Sequence, residues 1–138
     1  MKNSIQPTDL FYKALEVAKN AYAPYSKFHV GAALLTESGE IITGVNVENR
    51  SYGLTNCAER TAIFKAVCEQ KSDKIAAIAI ATPDSEYPVP PCGACRQVMS
   101  EFMSYDTPVI FGSNESNLVH STVGEIYPFD SLHELKKN

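Results

Sequence analysis

Residues 57–103 read CAERTAIFKAVCEQKSDKIAAIAIATPDSEYPVPPCGACRQVMSEFM, and this stretch decides the fold. Cys57 to Gln70 reads as a helix, with Ala58, Thr61, Ala62, Phe64, Lys65 and Ala66 all compatible with one. Lys74 to Thr82 follows as a short apolar run, Ile75, Ile78 and Ile80 set among alanines, which is the pattern of a strand buried on both faces. Pro83 to Pro91 is a proline-rich loop that must end close to the next helix, from about Cys92 to Met103. Helix, buried strand and helix in succession call for a sheet covered by helices.

The flanks extend that pattern. Thr8-Asp9 can cap a first helix, carried by Leu10, Phe11, Ala14, Leu15 and Ala18 and stopped before Ala23-Pro24. His29 to Thr36 and Ile41 to Glu48 read as two strands around the turn Glu37-Ser38-Gly39-Glu40, a hairpin. Asn49 to Asn56 is a polar loop. Pro108 to Phe111 is expected as a strand, Leu118 to Thr122 as a further one, and Ser131 to Lys136 as a short helix. The order α-β-β-α-β-α-β makes an α/β sandwich with a mixed sheet, expected as one domain over residues 1–138.

Composition narrows the function. Twelve Lys and Arg against sixteen Asp and Glu give a net charge of −4. A chain of that balance, with no basic block longer than Lys136-Lys137, is a poor binder of nucleic acid. The longest uninterrupted apolar run, Ile75 to Ala81, is too short to cross a bilayer, so no membrane partner is expected. The first seven residues lack the apolar middle of a secretion signal, so the expected compartment is the cytoplasm. Thiols stay reduced there, and four cysteines then read as metal ligands or catalytic groups rather than as bridges.

Three of the four carry a pattern. Thr55-Asn56-Cys57-Ala58-Glu59-Arg60 and Pro90-Pro91-Cys92-Gly93-Ala94-Cys95-Arg96-Gln97 supply three thiols and a glutamate two residues beyond the first. A catalytic zinc uses three protein ligands and keeps a fourth position for water, whereas a structural zinc takes four. Cys68 cannot make the fourth, because eleven residues along a helix place it roughly 16 Å from Cys57. It is expected instead as a small buried apolar residue. Cys57 and Cys92 each open a helix, where the positive end of the helix dipole favours thiolate. Three thiolates around Zn²⁺ sum to −1, and Arg60, one helical turn after Cys57, is placed to offset that charge by hydrogen bonds to sulfur. Glu59 is free of the metal and available to move protons. His29, His120 and His133 sit in no motif, and no role is assigned to them.

The chain resembles the short-form cytidine deaminases, whose zinc signature is a three-ligand site, a non-ligand glutamate and a Pro-Cys-x-x-Cys run. The resemblance rests on Tyr25 to Leu34, Gly44 to Asn49, Asn56 to Arg60 and Pro91 to Gln97. It implies a three-layer α-β-α sandwich with a five-stranded mixed sheet, one zinc per subunit held by Cys57, Cys92 and Cys95, and a homotetramer. It further implies deamination of cytidine and 2′-deoxycytidine in pyrimidine nucleoside salvage, with Glu59 as proton shuttle. Carried over by position, Asn46 and Glu48 bind the ribose, Phe28 packs against the base, and the backbone at Ala58 holds the base edge. The family places a phenylalanine after a Leu-Pro segment into a neighbour's site. Here Ile126-Tyr127-Pro128-Phe129 stands in its place, with Phe129 as the candidate. Arg50 and Tyr52 lie in the loop that the family uses for subunit contact. The free 3′-OH of a nucleoside suits a carboxylate at Glu48, whereas a polynucleotide would bring a repelled phosphate there.

Two other functions compete. One is a related deaminase acting on an antibiotic nucleoside or on a base in RNA. The other is a non-catalytic zinc-stabilised module, which requires four protein ligands.

Overall fold

The computed structural model describes residues 5–136. Helix α1 (Pro7–Val17) precedes the antiparallel hairpin β1 (Gly31–Thr36) and β2 (Ile41–Val45). Helix α2 (Ala58–Cys68), strand β3 (Ile75–Ala81), helix α3 (Gly93–Phe102), strands β4 (Pro108–Gly112) and β5 (Val119–Thr122), and the short α4 (Val123–Ile126) complete the order. The sheet runs β2-β1-β3-β4-β5. Only β3 and β4 pair in parallel, joined through α3, so the sheet is mixed.

Strand alternation builds three layers. On one face Ala33, Leu35, Ala79, Ala81 and Ile110 pack against Leu10, Phe11 and Ala14 of α1. On the other, Ala32, Leu34, Ile78, Ile80, Val109 and Phe111 pack against Ala58, Ala62, Ile63 and Ala66 of α2 and Cys95 and Met99 of α3. Every residue of β1 is buried, which is why its sequence GAALLT shows no polar alternation. Each fully buried Leu or Ile contributes about 1.5–3 kcal/mol.

Two glycines set how closely helix and sheet approach. A Cβ at Gly31 would stand 2.0 Å from the Ala14 carbonyl of α1, and one at Gly44 would stand 2.4 Å from the Ala62 nitrogen of α2. The start of α2 is thereby fixed against β2.

The expected elements are present with shifted ends. The hairpin strands are shorter than His29–Thr36 and Ile41–Glu48. Past Val45 the chain leaves β1: the Tyr22 N–H donates to the Asn46 carbonyl, and Val47 bridges both Tyr22 and Asn56. Helices α2 and α3 begin one residue after Cys57 and Cys92, which are their caps. The tail expected as a helix over Ser131–Lys136 forms one 3-10 turn, His133–Leu135. Unexpected was α4, which starts at a capping box between Thr122 and Glu125.

Candidate active site and metal centre

Two helix starts converge on the α2–α3 side of the sheet. Cys57 caps α2 and Cys92 caps α3, both in extended backbone, and neither side chain makes a capping hydrogen bond to its own helix. Cys95 lies one turn into α3 and is buried. The three sulfurs lie within 4.8 Å of one another, Cys57 Sγ and Cys92 Sγ at 3.9 Å. Ligands at about 2.3 Å in a tetrahedron stand about 3.8 Å apart, so the donor set fits a zinc ion. Among the described residues no other group of His, Cys, Asp and Glu side chains has that arrangement, and this one offers three ligands. Cys68 stands apart at the end of α2. It is exposed rather than buried as expected, because the buried stripe of the helix runs through Ala58, Glu59, Ala62, Ile63 and Ala66 and leaves position 68 outside it.

Charge at the cluster is shared unevenly. The Cys57 thiol is drawn down to about 5 by the neighbouring Cys95 thiol and then by Arg60. The Cys95 thiol is pushed up by the Cys57 sulfur, by burial and by the nearby Glu59. Arg60 Nη2 donates to Cys57 Sγ at 3.2 Å, and its Nε is buried with no hydrogen-bond partner. The guanidinium thus supplies the offsetting charge expected at that position.

Glu59, second residue of α2, is only 4% exposed. Burial lifts its carboxyl to about 7, and the negative Cys57 sulfur adds to the lift. A carboxyl poised near neutral pH can both accept and return a proton.

Glu59 and the sulfurs of Cys57 and Cys92 lie at a cavity of about 310 Å³. Phe28, Asn46, Glu48 and Ala58 also line it. The polar pair does more than face inward. The Asn46 amide accepts from the Val30 N–H at 2.9 Å and donates to the Phe28 carbonyl at 2.8 Å. Glu48 accepts from the Tyr25 and Ser26 N–H groups at 3.0 and 3.2 Å, and from the Ser26 hydroxyl. That hydroxyl holds the Glu48 carboxyl below its ordinary range. Together the two residues tie segment 25–30, which carries Phe28, to the end of β2.

Phe129 is not brought into the cavity of its own chain. It is 91% exposed, because its neighbours anchor the tail on α3 and leave it outside. Arg96 donates to the Ile126 carbonyl at 2.7 Å, and Ser100 donates to Asp130. Arg50 and Tyr52 are exposed in the loop after β2. Sequence reasoning missed Thr82, Val89 and Pro90, which also line the cavity. Thr82 was within reach of it, two residues beyond Ile80 and hence on the same strand face. His29, to which no role was assigned, has its backbone N–H and ring Nδ1 both at 2.8 Å from Asp84 Oδ2.

Comparison with known proteins gives this arrangement a family. The profile of the cytidine and deoxycytidylate deaminase zinc-binding region matches residues 5–112. The chain belongs to this deaminase family. A cytidine deaminase from Halalkalibacterium halodurans is 51% identical over 119 residues, covering 86% of this chain and 89% of its own. The crystal structure of cytidine deaminase from Burkholderia pseudomallei superposes with a TM-score of 0.87 at 41% identity, over 91% of this chain and 99% of that one. A blasticidin-S deaminase from Bacillus cereus is 37% identical over 109 residues, 75% of this chain and 76% of its own. The three-layer mixed sheet is therefore the deaminase fold, and the chain is a hydrolase of the deaminase class whose three-cysteine cluster fits zinc. Among the described residues no helix is long and apolar enough to cross a membrane.

Proposed function

We propose that the chain hydrolyses cytidine and 2′-deoxycytidine to uridine and 2′-deoxyuridine with release of ammonia, as one catalytic domain over residues 1–138. The observation that carries this reading is a buried glutamate beside a three-sulfur cluster at the floor of a nucleoside-sized cavity. The fold and the relatives named above support the same reaction.

Cys57, Cys92 and Cys95 hold the zinc, which when bound supplies a Lewis acid that lowers the pKa of a water to near neutrality. Glu59 accepts a proton from the attacking water and delivers it to ring N3 as the oxygen bonds to C4. The second water hydrogen then passes through Glu59 to the 4-amino nitrogen, the C4–N bond breaks, and ammonia leaves. One carboxyl serves as base and then as acid, a use its position near neutral pH allows. Arg60 steadies the Cys57 sulfur. Ala58 holds the base edge through its backbone, Phe28 packs on the ring, and Asn46 and Glu48 receive the ribose.

A carboxylate at the 3′-OH and a net charge of −4 favour free nucleosides over nucleic acid. Salvage of nucleosides in the cytoplasm is the setting that suits such a substrate. A homotetramer accounts for the outward Phe129, which would then reach a neighbour's cavity. The likeness to a blasticidin-S deaminase supports a second reading, in which an antibiotic nucleoside is the substrate. A non-catalytic zinc module is disfavoured, since the cluster offers three ligands.

The test is absorbance and ammonia release with zinc-loaded protein on cytidine, deoxycytidine, cytosine, blasticidin S and single-stranded oligonucleotides. The two cytosine nucleosides should be consumed, chelation should stop the reaction, and zinc should restore it. Consumption of blasticidin S alone would favour the second reading, and a metal-loaded protein that leaves the whole panel unchanged would refute both.

A further inference from the structure

Thr82 extends β3 by one residue. Its N–H donates to the Gly112 carbonyl at 3.0 Å, continuing the pairing with β4. Residues two apart on a strand share a face, so Thr82 lies on the side of Ile80, which α2 and α3 cover. Thr82 and Ile80 line the active-site cavity with Ala58 and Glu59, and these four buried residues form its floor.

The Thr82 side chain is unusual in what it lacks. It is 2% exposed, and its hydroxyl has no hydrogen-bond partner in the protein. Among the described residues the other buried side-chain atom in that state is Arg60 Nε, beside the sulfur cluster. Other polar side chains at the cavity are engaged within the protein. Asn46 bonds Phe28 and Val30, Glu48 bonds Tyr25 and Ser26, and the Thr55 hydroxyl accepts from the Asn49 N–H at 3.1 Å. A buried hydroxyl without a partner destabilises a fold, and valine fills the same shape without that penalty. The partner is then one that enters with a ligand.

We propose that the Thr82 hydroxyl is a substrate-binding group that hydrogen-bonds the polar edge of the pyrimidine ring of a bound nucleoside. A hydroxyl can donate to a ring carbonyl or accept from an amino group, so it serves cytosine and uracil alike. The inference rests on the functional reading above for the identity of the ring. The floor is where that reading places the ring, because Glu59 and the cysteines must reach C4.

Wild type, Thr82→Val and Thr82→Ser are compared by kcat and KM for cytidine and by thermal midpoint with and without uridine. Thr82→Val should lose about 3- to 10-fold in kcat/KM, carried mainly by KM, the size of one neutral hydrogen bond. Its ligand-free midpoint should equal or exceed that of the wild type, and uridine should raise it less. Thr82→Ser should keep kcat/KM within about twofold, since it keeps the donor and acceptor. A valine variant with unchanged KM and an unchanged uridine response overturns the proposal. So does one that merely lowers the ligand-free midpoint, with serine failing to restore KM. A wild type that releases no ammonia from cytidine defeats the functional reading, and the uridine response still decides the hydroxyl.

Discussion

The reacting corner and the rim of the cavity are built by different means. Cys57, Glu59, Cys92 and Cys95 sit on the first turns of two helices that pack on a buried sheet, and Gly44 lets one of those helices approach to backbone contact. Segment 25–30 at the rim and, outside the cavity, the C-terminal stretch belong to no helix or strand of the core. They are held by side chains 16 to 55 residues away, among them Asn46, Glu48, Asp84 and Arg96. The corner inherits its geometry from the fold, whereas the rim depends on particular hydrogen bonds. Damage to the corner should therefore appear in the chemical step, and damage to the rim in binding and stability.

Glu59→Gln separates the two most sharply. The amide keeps the size of the side chain and cannot shuttle a proton, so kcat should fall about 10²- to 10⁴-fold with zinc content and folding retained. Steady-state kinetics and metal analysis check it, and near-native turnover would remove Glu59 from the chemistry.

Asn46→Ala probes the other side. It leaves the Val30 N–H and the Phe28 carbonyl without their partner, at a cost of about 2–4 kcal/mol for the two groups. KM should rise more than kcat falls, and the thermal midpoint should drop. A variant that lost kcat alone would erase the distinction between corner and rim.

How far the sequence exposed each region follows the same division. The cysteines and Glu59 were legible because ligand spacing is a local property: two residues from Cys57 to Glu59, three from Cys92 to Cys95. The α/β sandwich with a mixed sheet was legible because strand and helix periods differ and the apolar run at Ile75–Ala81 has no polar face. The rim resisted reading because its contacts join distant residues. Nothing local says that β2 stops at Val45, since residues 46–48 are captured by Tyr22 and Asn56. Nothing local says that Phe129 faces outward, since Arg96 and Ser100 decide it from α3. His29 carried no motif, yet its bond to Asp84 spans 55 residues.

The smallest expected effect concerns pH. The Ser26 hydroxyl, together with the N–H groups of Ser26 and Tyr25, holds the Glu48 carboxyl below its ordinary range. A depressed carboxyl contributes stability that is whole above its unfolded value of about 4.3 and fades as the pH falls through the lower folded value. The difference in thermal midpoint between wild type and Glu48→Gln should thus be constant above about pH 5 and close in more acid solution. A gap that widened on acidification would contradict the assignment.

X-ray absorption at the zinc edge of the loaded enzyme tests the central claim most directly. Three sulfurs at about 2.3 Å and one oxygen at about 2.0 Å are predicted, the oxygen belonging to exchangeable water. A fourth sulfur or another protein atom completing the sphere would contradict it.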